Sequence, residues 1–276
     1  MTGCGLMPDD GHGQMMHRNA ERYRKMKILL VADNEDRRLW DSWSTAGRRM
    51  TEGVNLILSA GDIRPGYLDF LVSVLNVPCL YVRGNHDGIY DDMPPAGCID
   101  IDGKVCEITF PGRPGEPQTG ARVLRIAGLG GSMRYHEGKD MYTEKEMSKR
   151  VRKLLRNAKI GFAIDGQGRK VISWGLAEST RYVLKNDPAS ISLHESDAPV
   201  RPVDIFLTHA PSFGHGDLED LPHHGFACFN DFIAKIKPHF HCYGHVHMEY
   251  GMFDRVTVHP SGTSLINVSG MYILEI

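Results

Sequence analysis

The chain has 276 residues, of which 41% are hydrophobic and 24% are charged. This composition is typical of a globular protein and argues against a disordered or fibrous one. The 34 acidic and 32 basic residues nearly cancel, which leaves a formal net charge of -2 and disfavours a nucleic-acid-binding protein that relies on global charge. The sequence lacks an apolar run of the roughly 20 residues that a membrane-spanning helix needs.

The N-terminal part differs from the rest of the chain. Residues 1–25 have no periodic apolar pattern, so we predict a disordered or over-extended leader followed by one domain over residues 26–276. The six cysteines are widely spaced and form no CxxC motif. This spacing predicts reduced thiols and a cytoplasmic protein rather than a disulfide framework.

The first third of the domain alternates between strand-like and helix-like segments. Strands are predicted at 27–32, 55–60 and 78–82, and helices at 36–50 and from Pro65 to about residue 74. Such alternation is typical of βαβ units with a mostly parallel sheet.

The middle of the chain is less regular, and the alternation then resumes. The Asp102-Gly103 turn predicts a β-hairpin over residues 98–108, a strand follows at 122–127, and a basic helix is predicted over 142–159. Residues 160–200 have weak periodicity and are interpreted as an insertion. The last predicted elements are strand 204–207, helix 226–236, and strands 239–243, 255–259, 264–268 and 271–276. The pattern predicts an α/β fold with two sheets packed face to face.

Polar clusters follow five of these strand-like runs. They are Asp33-Asn34-Glu35, Gly61-Asp62, Gly84-Asn85-His86-Asp87, Thr208-His209 and Gly244-His245-Val246-His247. Each cluster alone is weak evidence, because Asp and Asn are ordinary turn residues. Together they predict a site, since the carboxyl ends of strands in an open α/β sheet are where ligands bind.

These clusters resemble the calcineurin-like metallophosphoesterase superfamily. The family pattern is DxH, GDxxD, GNHD or GNHE, a lone His, and GHxH, and the GNHD and GHVH elements are its most specific matches in this sequence. The resemblance runs from Met26 towards the C-terminus. It implies a four-layer α/β/β/α sandwich, with two mixed β-sheets flanked by helices and a site for two divalent metal ions.

The resemblance also implies a set of metal ligands. Asp62 would bridge the two metals, Asp33 and His247 would hold the first, and Asn85, His209 and His245 would hold the second. In that mechanism a hydroxide between the metals attacks phosphorus in line.

Two further roles follow from the GNHD element. By resemblance, His86 protonates the leaving alkoxide or stabilises the transition state. Asp87 would orient His86, as carboxylates commonly do for histidine.

The sequence departs from the family pattern at two places. Glu35 stands where the family usually has His. If Glu35 binds the first metal, the added oxygen ligand favours Mn²⁺ or Fe²⁺ over Zn²⁺, with Mg²⁺ as a further alternative. If it does not, the first site is weak and only one metal binds well. The second departure is Gly61-Asp62-Ile63-Arg64-Pro65, which lacks the final Asp of GDxxD.

Candidate substrate contacts are fewer. Arg64 is a candidate to contact a substrate phosphate, and the alternative is an exposed arginine at the start of a helix. Arg134 and Tyr135, in the Gly-rich segment after strand 122–127, are further candidate substrate contacts, and the alternative is a structural turn. The basic helix is interpreted as a solvated face with Val151, Leu154 and Leu155 packing inward, rather than as a track for a phosphate backbone.

The sequence therefore predicts a metal-dependent phosphoesterase that hydrolyses a phosphodiester or phosphomonoester, with a nucleotide among the candidate substrates. A nuclease and a catalytically inactive scaffold of the same fold are the alternatives. Nucleic acid is the less favoured partner, no membrane partner is predicted, and the oligomeric state is not readable from these residues.

Overall fold

Short apolar runs form the strands that carry the fold. The computed structural model describes residues 26–40, 45–110, 122–157, 159–164, 170–173, 203–251 and 254–276. The strands are β1 Lys27–Ala32, β2 Val54–Ser59, β3 Cys79–Tyr81, β4 Cys98–Asp100, β5 Val105–Phe110, β6 Arg122–Leu129, β7 Ser132–Met133, β8 Met141–Tyr142, β9 Lys159–Ile164, β10 Lys170–Ser173, β11 Ile205–Thr208, β12 Phe240–Tyr243, β13 Val256–Val258, β14 Ser264–Asn267 and β15 Gly270–Glu275.

Helices cover the strands on both sides. They are α1 Arg37–Trp40, α2 Thr45–Thr51, α3 Pro65–Leu75, α4 Glu144–Asn157 and α5 Ala227–Ile236. Short 3₁₀ turns lie at Asp87–Asp91, Leu221–His223 and Met248–Tyr250.

The strands form two large mixed sheets. The first has the order β15-β1-β2-β3-β4, and the second has the order β10-β9-β5-β6-β11-β12-β14-β13. In the first sheet β1 to β4 are parallel and β15 is antiparallel to β1. In the second, β6, β11, β12 and β14 are parallel neighbours. The carboxyl ends of these parallel strands are where the predicted site residues occur.

The alternation of side chains along each strand builds the layers. In β1, Ile28 and Leu30 face the core between the two sheets, whereas Leu29 and Val31 pack with residues of α3. In the second sheet Leu207 faces the same central core, and Phe206 packs with residues of α4 and α5. Each fully buried Leu, Ile or Phe contributes about 1.5–3 kcal/mol. The predicted four-layer α/β/β/α sandwich with two mixed sheets is confirmed.

The predicted hairpin over residues 98–108 is wrong. β4 pairs with β3 in the first sheet, and β5 pairs with β6 in the second. The Asp102-Gly103 turn therefore passes from one sheet to the other. The Asp102 carboxylate accepts hydrogen bonds from the Gly130 N–H (2.7 Å) and from the Arg150 guanidinium, and these partners fix the turn against the second sheet and α4.

Two predicted regions lie wholly or partly outside the described residues. The leader at 1–25 is outside them, and so is most of the predicted insertion at 160–200. The described parts of that insertion belong to β9 and β10, which continue the second sheet beyond β5. The domain boundaries stay predictions.

The basic helix α4 packs as an amphipathic helix. Met147, Val151 and Leu154 are buried in the cluster that covers the second sheet. Arg150 lies over the Tyr142 ring at 4.1 Å. Among the described residues, no helix is long and apolar enough to cross a membrane.

His241 is a buried histidine in the middle of this packing. It lies on β12, fully buried, and its ring stacks on Phe206 with centroids 5.0 Å apart. Its Nε2 lies 2.8 Å from the Thr208 hydroxyl. Burial, together with the nearby His259 and His215, lowers the pKa of His241 to about 3.

Acid should therefore destabilise the fold through His241. An unfolded histidine binds a proton below about pH 6.5, whereas the folded ring stays neutral down to about pH 3. Between these values the unfolded state binds more protons, so the free energy of unfolding falls as pH falls, by up to about 1.4 kcal/mol per pH unit. Urea unfolding of wild type and His241→Phe between pH 7 and pH 4 measures this, and equal slopes for both proteins would contradict it.

Candidate metal centre

The predicted site residues meet where the carboxyl ends of the two sheets come together. Asp33, Asp62 and Asn85 follow β1, β2 and β3, whereas His209 and His245 follow β11 and β12. The His209 ring joins the sheets, because its Nδ1–H donates to the carbonyl of Ala60 at 2.8 Å. On the other side of the site, the backbone N–H of His245 donates to Asp33 Oδ1 at 2.9 Å.

The loops that carry these side chains have an unusual backbone. Asp33, Asp62 and His245 have left-handed φ values of 61°, 55° and 68°. Non-glycine residues adopt this conformation at a cost of order 1–3 kcal/mol, and such residues cluster at functional sites. Asp tolerates it better than bulky residues because its short polar side chain bonds locally.

Three side chains form a cluster with the spacing of a metal site. One ligand atom from each of Asp62, His209 and His245 lies within 4.8 Å of the others. His209 Nε2 is 3.4 Å from Asp62 Oδ2 and 3.0 Å from Asn85 Oδ1. The Asn85 amide is thus next to the cluster, as the sequence predicts.

The two histidine rings are oriented by backbone carbonyls. His209 uses Nδ1 for Ala60, and His245 has Nε2 2.7 Å from the carbonyl of Pro222. A carbonyl partner on one ring nitrogen fixes the ring and leaves the other nitrogen for a cation, which is the usual arrangement of metal-binding histidines. Pro222 is a contributor that the sequence alone did not indicate.

Asp33 has an unpaired oxygen. Its Oδ2 is buried and has no hydrogen-bond partner among the described residues. Burial, opposed by His209, raises the pKa of the Asp33 carboxyl above its ordinary value. A buried carboxylate oxygen without a donor is costly, and a divalent cation would supply the missing charge, so the residues fit such an ion.

Asp62, His209 and His245 have pKa values that depend on their burial and on neighbouring charges. Burial alone would raise the pKa of Asp62, but His209 and the bonds to Asp62 outweigh burial and lower it to about 2. Burial likewise opposes protonation of His209, yet Asp62 and Asp33 raise its pKa to about 9. For His245, burial and the neighbouring His209 lower the pKa to about 3. The acidic pair thus attracts positive charge into the centre.

His247 lies beside the first loop. Its Nδ1 is 3.4 Å from the Asn34 side-chain nitrogen. Its ring stacks on Tyr250 with centroids 5.0 Å apart. It therefore neighbours the loop that carries Asp33, and its role as a metal ligand stays a prediction.

The GNHD residues take two different positions. The backbone N–H of His86 donates to Asp62 Oδ1 at 2.8 Å, and the residue is exposed. Asp87 is buried, and its Oδ2 accepts from the N–H groups of Asp62 (2.8 Å) and Gly84 (2.7 Å). The bonds to Asp87 thus come from the backbone of two site loops, and burial and the charge of Asp62 raise its pKa to about 6.

Glu35 and Arg64 bind each other. The Arg64 guanidinium donates to both carboxylate oxygens of Glu35, with Nε at 2.7 Å from Oε1. The Glu35 side chain is 14% exposed, and that of Arg64 is 76% exposed. Both residues border a cavity of about 510 Å³ that also contacts Asp33 and Asp62.

Arg134 and Tyr135 are neighbours in sequence, but they have different contacts relative to the candidate metal centre. The Arg134 guanidinium pairs with Glu146 and donates to the carbonyl of Met141. Tyr135 instead has its hydroxyl 3.5 Å from the Asn85 side-chain nitrogen. Of these two, Tyr135 is the one in contact with a predicted ligand.

Close packing leaves no room for a side chain at Gly84. A Cβ there would come within 2.0 Å of Asp62 Oδ1. Gly84→Ala should therefore displace the Asp62 carboxylate and weaken the binding of a divalent cation by about tenfold or more. Isothermal titration with Mn²⁺ measures this, with Gly88→Ala as the matched control because nothing lies within 4 Å of a Cβ at Gly88. Equal affinity in both variants would contradict the packing argument.

The family of the chain is identified by comparison with known proteins. A family model described as calcineurin-like phosphoesterase matches residues 26–249. The Caenorhabditis elegans protein "UPF0046 protein C25E10.12" is 32% identical over 66 residues, which are 22% of this chain. That match spans only 24% of the nematode protein.

Solved structures with similarity to the chain are distant in sequence. The protein TT1561 of Thermus thermophilus is 11% identical, with 91% of this chain and 98% of that chain covered and a TM-score of 0.47. Another solved structure is 14% identical, with 91% and 95% covered and a TM-score of 0.49.

Proposed function

The chain belongs to the calcineurin-like phosphoesterase family, and from that premise we propose that it hydrolyses a phosphodiester or phosphomonoester at a centre for two divalent cations. The observation that carries the proposal is the cluster of Asp62, His209 and His245 beside the unpaired Asp33 Oδ2. Bound cations would supply a water molecule of lowered pKa as nucleophile and neutralise charge on the phosphate.

The proposed ligands combine oxygen and nitrogen donors. They are the carboxylates of Asp33 and Asp62, the Asn85 amide oxygen, and the imidazoles of His209, His245 and His247. Carboxylate, amide and imidazole donors suit Mn²⁺, which we take as the first candidate, with Fe²⁺ and Zn²⁺ as alternatives.

His86 and Asp87 support the reaction in different ways. His86 is exposed next to Asp62 and would donate a proton to the leaving oxygen. Asp87 would act as a positioning residue, because it holds the backbone N–H groups of Asp62 and Gly84.

Glu35 is open to two interpretations, and the contacts favour one of them. Both of its oxygens accept from Arg64, so its role as a metal ligand would require breaking a bidentate ion pair. The proposal is that Glu35 holds Arg64 in place and that Arg64 contacts the substrate.

The nuclease and scaffold alternatives have less support. Of the cations on α4, Arg150 is bound to Asp102 and stacked on Tyr142, which favours a structural role for that residue over contact with a phosphate backbone. A scaffold would have no need of the buried donor set around Asp62. Among the described residues no disulfide joins Cys79, Cys98, Cys106, Cys228 or Cys242, which supports a reducing, cytoplasmic location as part of the proposal.

The activity is tested with chromogenic esters. Wild type with Mn²⁺ should hydrolyse bis-p-nitrophenyl phosphate or p-nitrophenyl phosphate. His86→Ala should lower kcat by about tenfold or more through loss of transition-state stabilisation, since the p-nitrophenolate leaving group needs little protonation, and Asp62→Asn should abolish turnover. Asp92→Asn is the matched control, because Asp92 is exposed at the end of the turn that follows His86.

Two results would count against the proposal. Turnover in Asp62→Asn equal to that of wild type would place the chemistry elsewhere. Absence of turnover combined with absence of bound Mn, Fe or Zn would support the scaffold.

The role of Glu35 has its own test. Glu35→Gln should leave the metal content per chain unchanged and raise KM by about two- to fivefold, because Arg64 would lose the carboxylate that holds it and an exposed ion pair contributes only a small effect. Metal analysis and steady-state kinetics measure the two effects. Arg64→Gln should raise KM at least as much, and the double variant should add little to it. Loss of one metal equivalent in Glu35→Gln would instead make Glu35 a ligand.

A further inference from the structure

A cavity of about 510 Å³ adjoins the candidate metal centre. Its volume is within the range of small-molecule binding pockets. It is lined by Asp33, Asn34, Glu35, Arg37, Trp40, Asp62 and Arg64. Because Asp33 and Asp62 are proposed metal ligands, a phosphate ester held at the metals would extend its organic group into this cavity.

Trp40 provides an aromatic surface in the cavity. It lies at the end of α1 and is 41% exposed. Its ring contacts Phe70, with centroids 4.9 Å apart in a T-shaped arrangement, and Tyr67, with centroids 5.4 Å apart. A fixed and partly exposed indole is suited to stacking against a planar ring, and this kind of stacking is how proteins bind nucleobases without reading their edges.

Two carboxylates of the cavity, Asp33 and Asp62, would be neutralised by the proposed cations, and the remaining charges of the lining then favour an anion. Glu35 is neutralised by Arg64, and Asp36 by the neighbouring Arg38, which does not line the cavity. Arg37 forms no ion pair within the described part of the chain, so its charge is uncompensated there. A guanidinium on the cavity wall suits a phosphate oxygen.

We infer that this cavity binds a nucleotide, with its base stacked on Trp40 and an anionic oxygen bound by Arg37 and Arg64. The inference rests on the proposed function, since it assigns the substrate class of that same centre. A sugar phosphate would use the arginines but not Trp40, and it is therefore the informative comparison ligand.

The experiment compares 5′-AMP with ribose 5-phosphate. Binding of each ligand to the Mn²⁺-loaded full chain is measured by isothermal titration in the His86→Ala background, where turnover is suppressed. The parent should bind 5′-AMP about tenfold or more tightly than ribose 5-phosphate, since stacking of one base on an aromatic side chain has an effect of this order. Adding Trp40→Ala should remove that preference, and adding Trp40→Phe should retain most of it.

The role of Arg37 in ligand binding is tested by one variant, with a variant of the neighbouring Arg38 as its control. Arg37→Gln should weaken both ligands by about fivefold or more, in line with the loss of a charge-assisted hydrogen bond. Arg38→Gln should change neither, because Arg38 is paired with Asp36 outside the cavity. Circular dichroism and the melting temperature identify any variant that fails to fold. If Trp40→Ala does not fold, Trp40→Phe still tests stacking, because it keeps an aromatic ring at this position.

Two outcomes would overturn the inference. Equal binding of the two ligands by the parent, or binding of neither, would remove the nucleotide assignment. A preference for 5′-AMP that survives Trp40→Ala would remove Trp40 from the site. Neither result would affect the proposed phosphoesterase function, because hydrolysis of the chromogenic esters is measured separately.

Discussion

The hydrogen bond between the His245 backbone N–H and Asp33 Oδ1, at 2.9 Å, is a constraint on which much of the site depends. It joins the loop after β12 in the second sheet to the loop after β1 in the first. It also leaves Asp33 Oδ2 buried and unpaired among the described residues. The architecture thus concentrates negative charge where two sheets meet, and a cation bound at that point would relieve the cost of burying it.

A second constraint on the site is the ion pair between Glu35 and Arg64. Glu35 stands at the position of the histidine in the DxH pattern that the sequence resembles, and its carboxylate accepts hydrogen bonds from Arg64 in the adjacent loop. In the proposed function, this pairing makes Glu35 a support for the Arg64 guanidinium instead of a metal ligand. This links the two departures from the family pattern, since both fall in the loops that form the cavity with Trp40.

The sequence predicted the strands well because each is a short apolar run followed by a polar turn, as at β1 and Asp33. It also indicated which residues gather near Asp62, since parallel strands end at one edge. It did not predict the partners of Glu35 or Asp87, because these depend on how closely separate loops approach one another. The predicted hairpin over residues 98–108 was wrong for a similar reason. A local turn signal does not indicate that the strands on its two sides pair in different sheets, β4 with β3 and β5 with β6.

The left-handed backbone at Asp33, Asp62 and His245 has a consequence for how this protein can evolve. At such positions β-branched and bulky residues raise the cost of folding, whereas Gly and Asn do not. A lineage released from selection for catalysis would therefore drift first to Gly or Asn there, and those substitutions would mark the lost activity in its sequence. The fold would thus be retained after catalytic activity is lost.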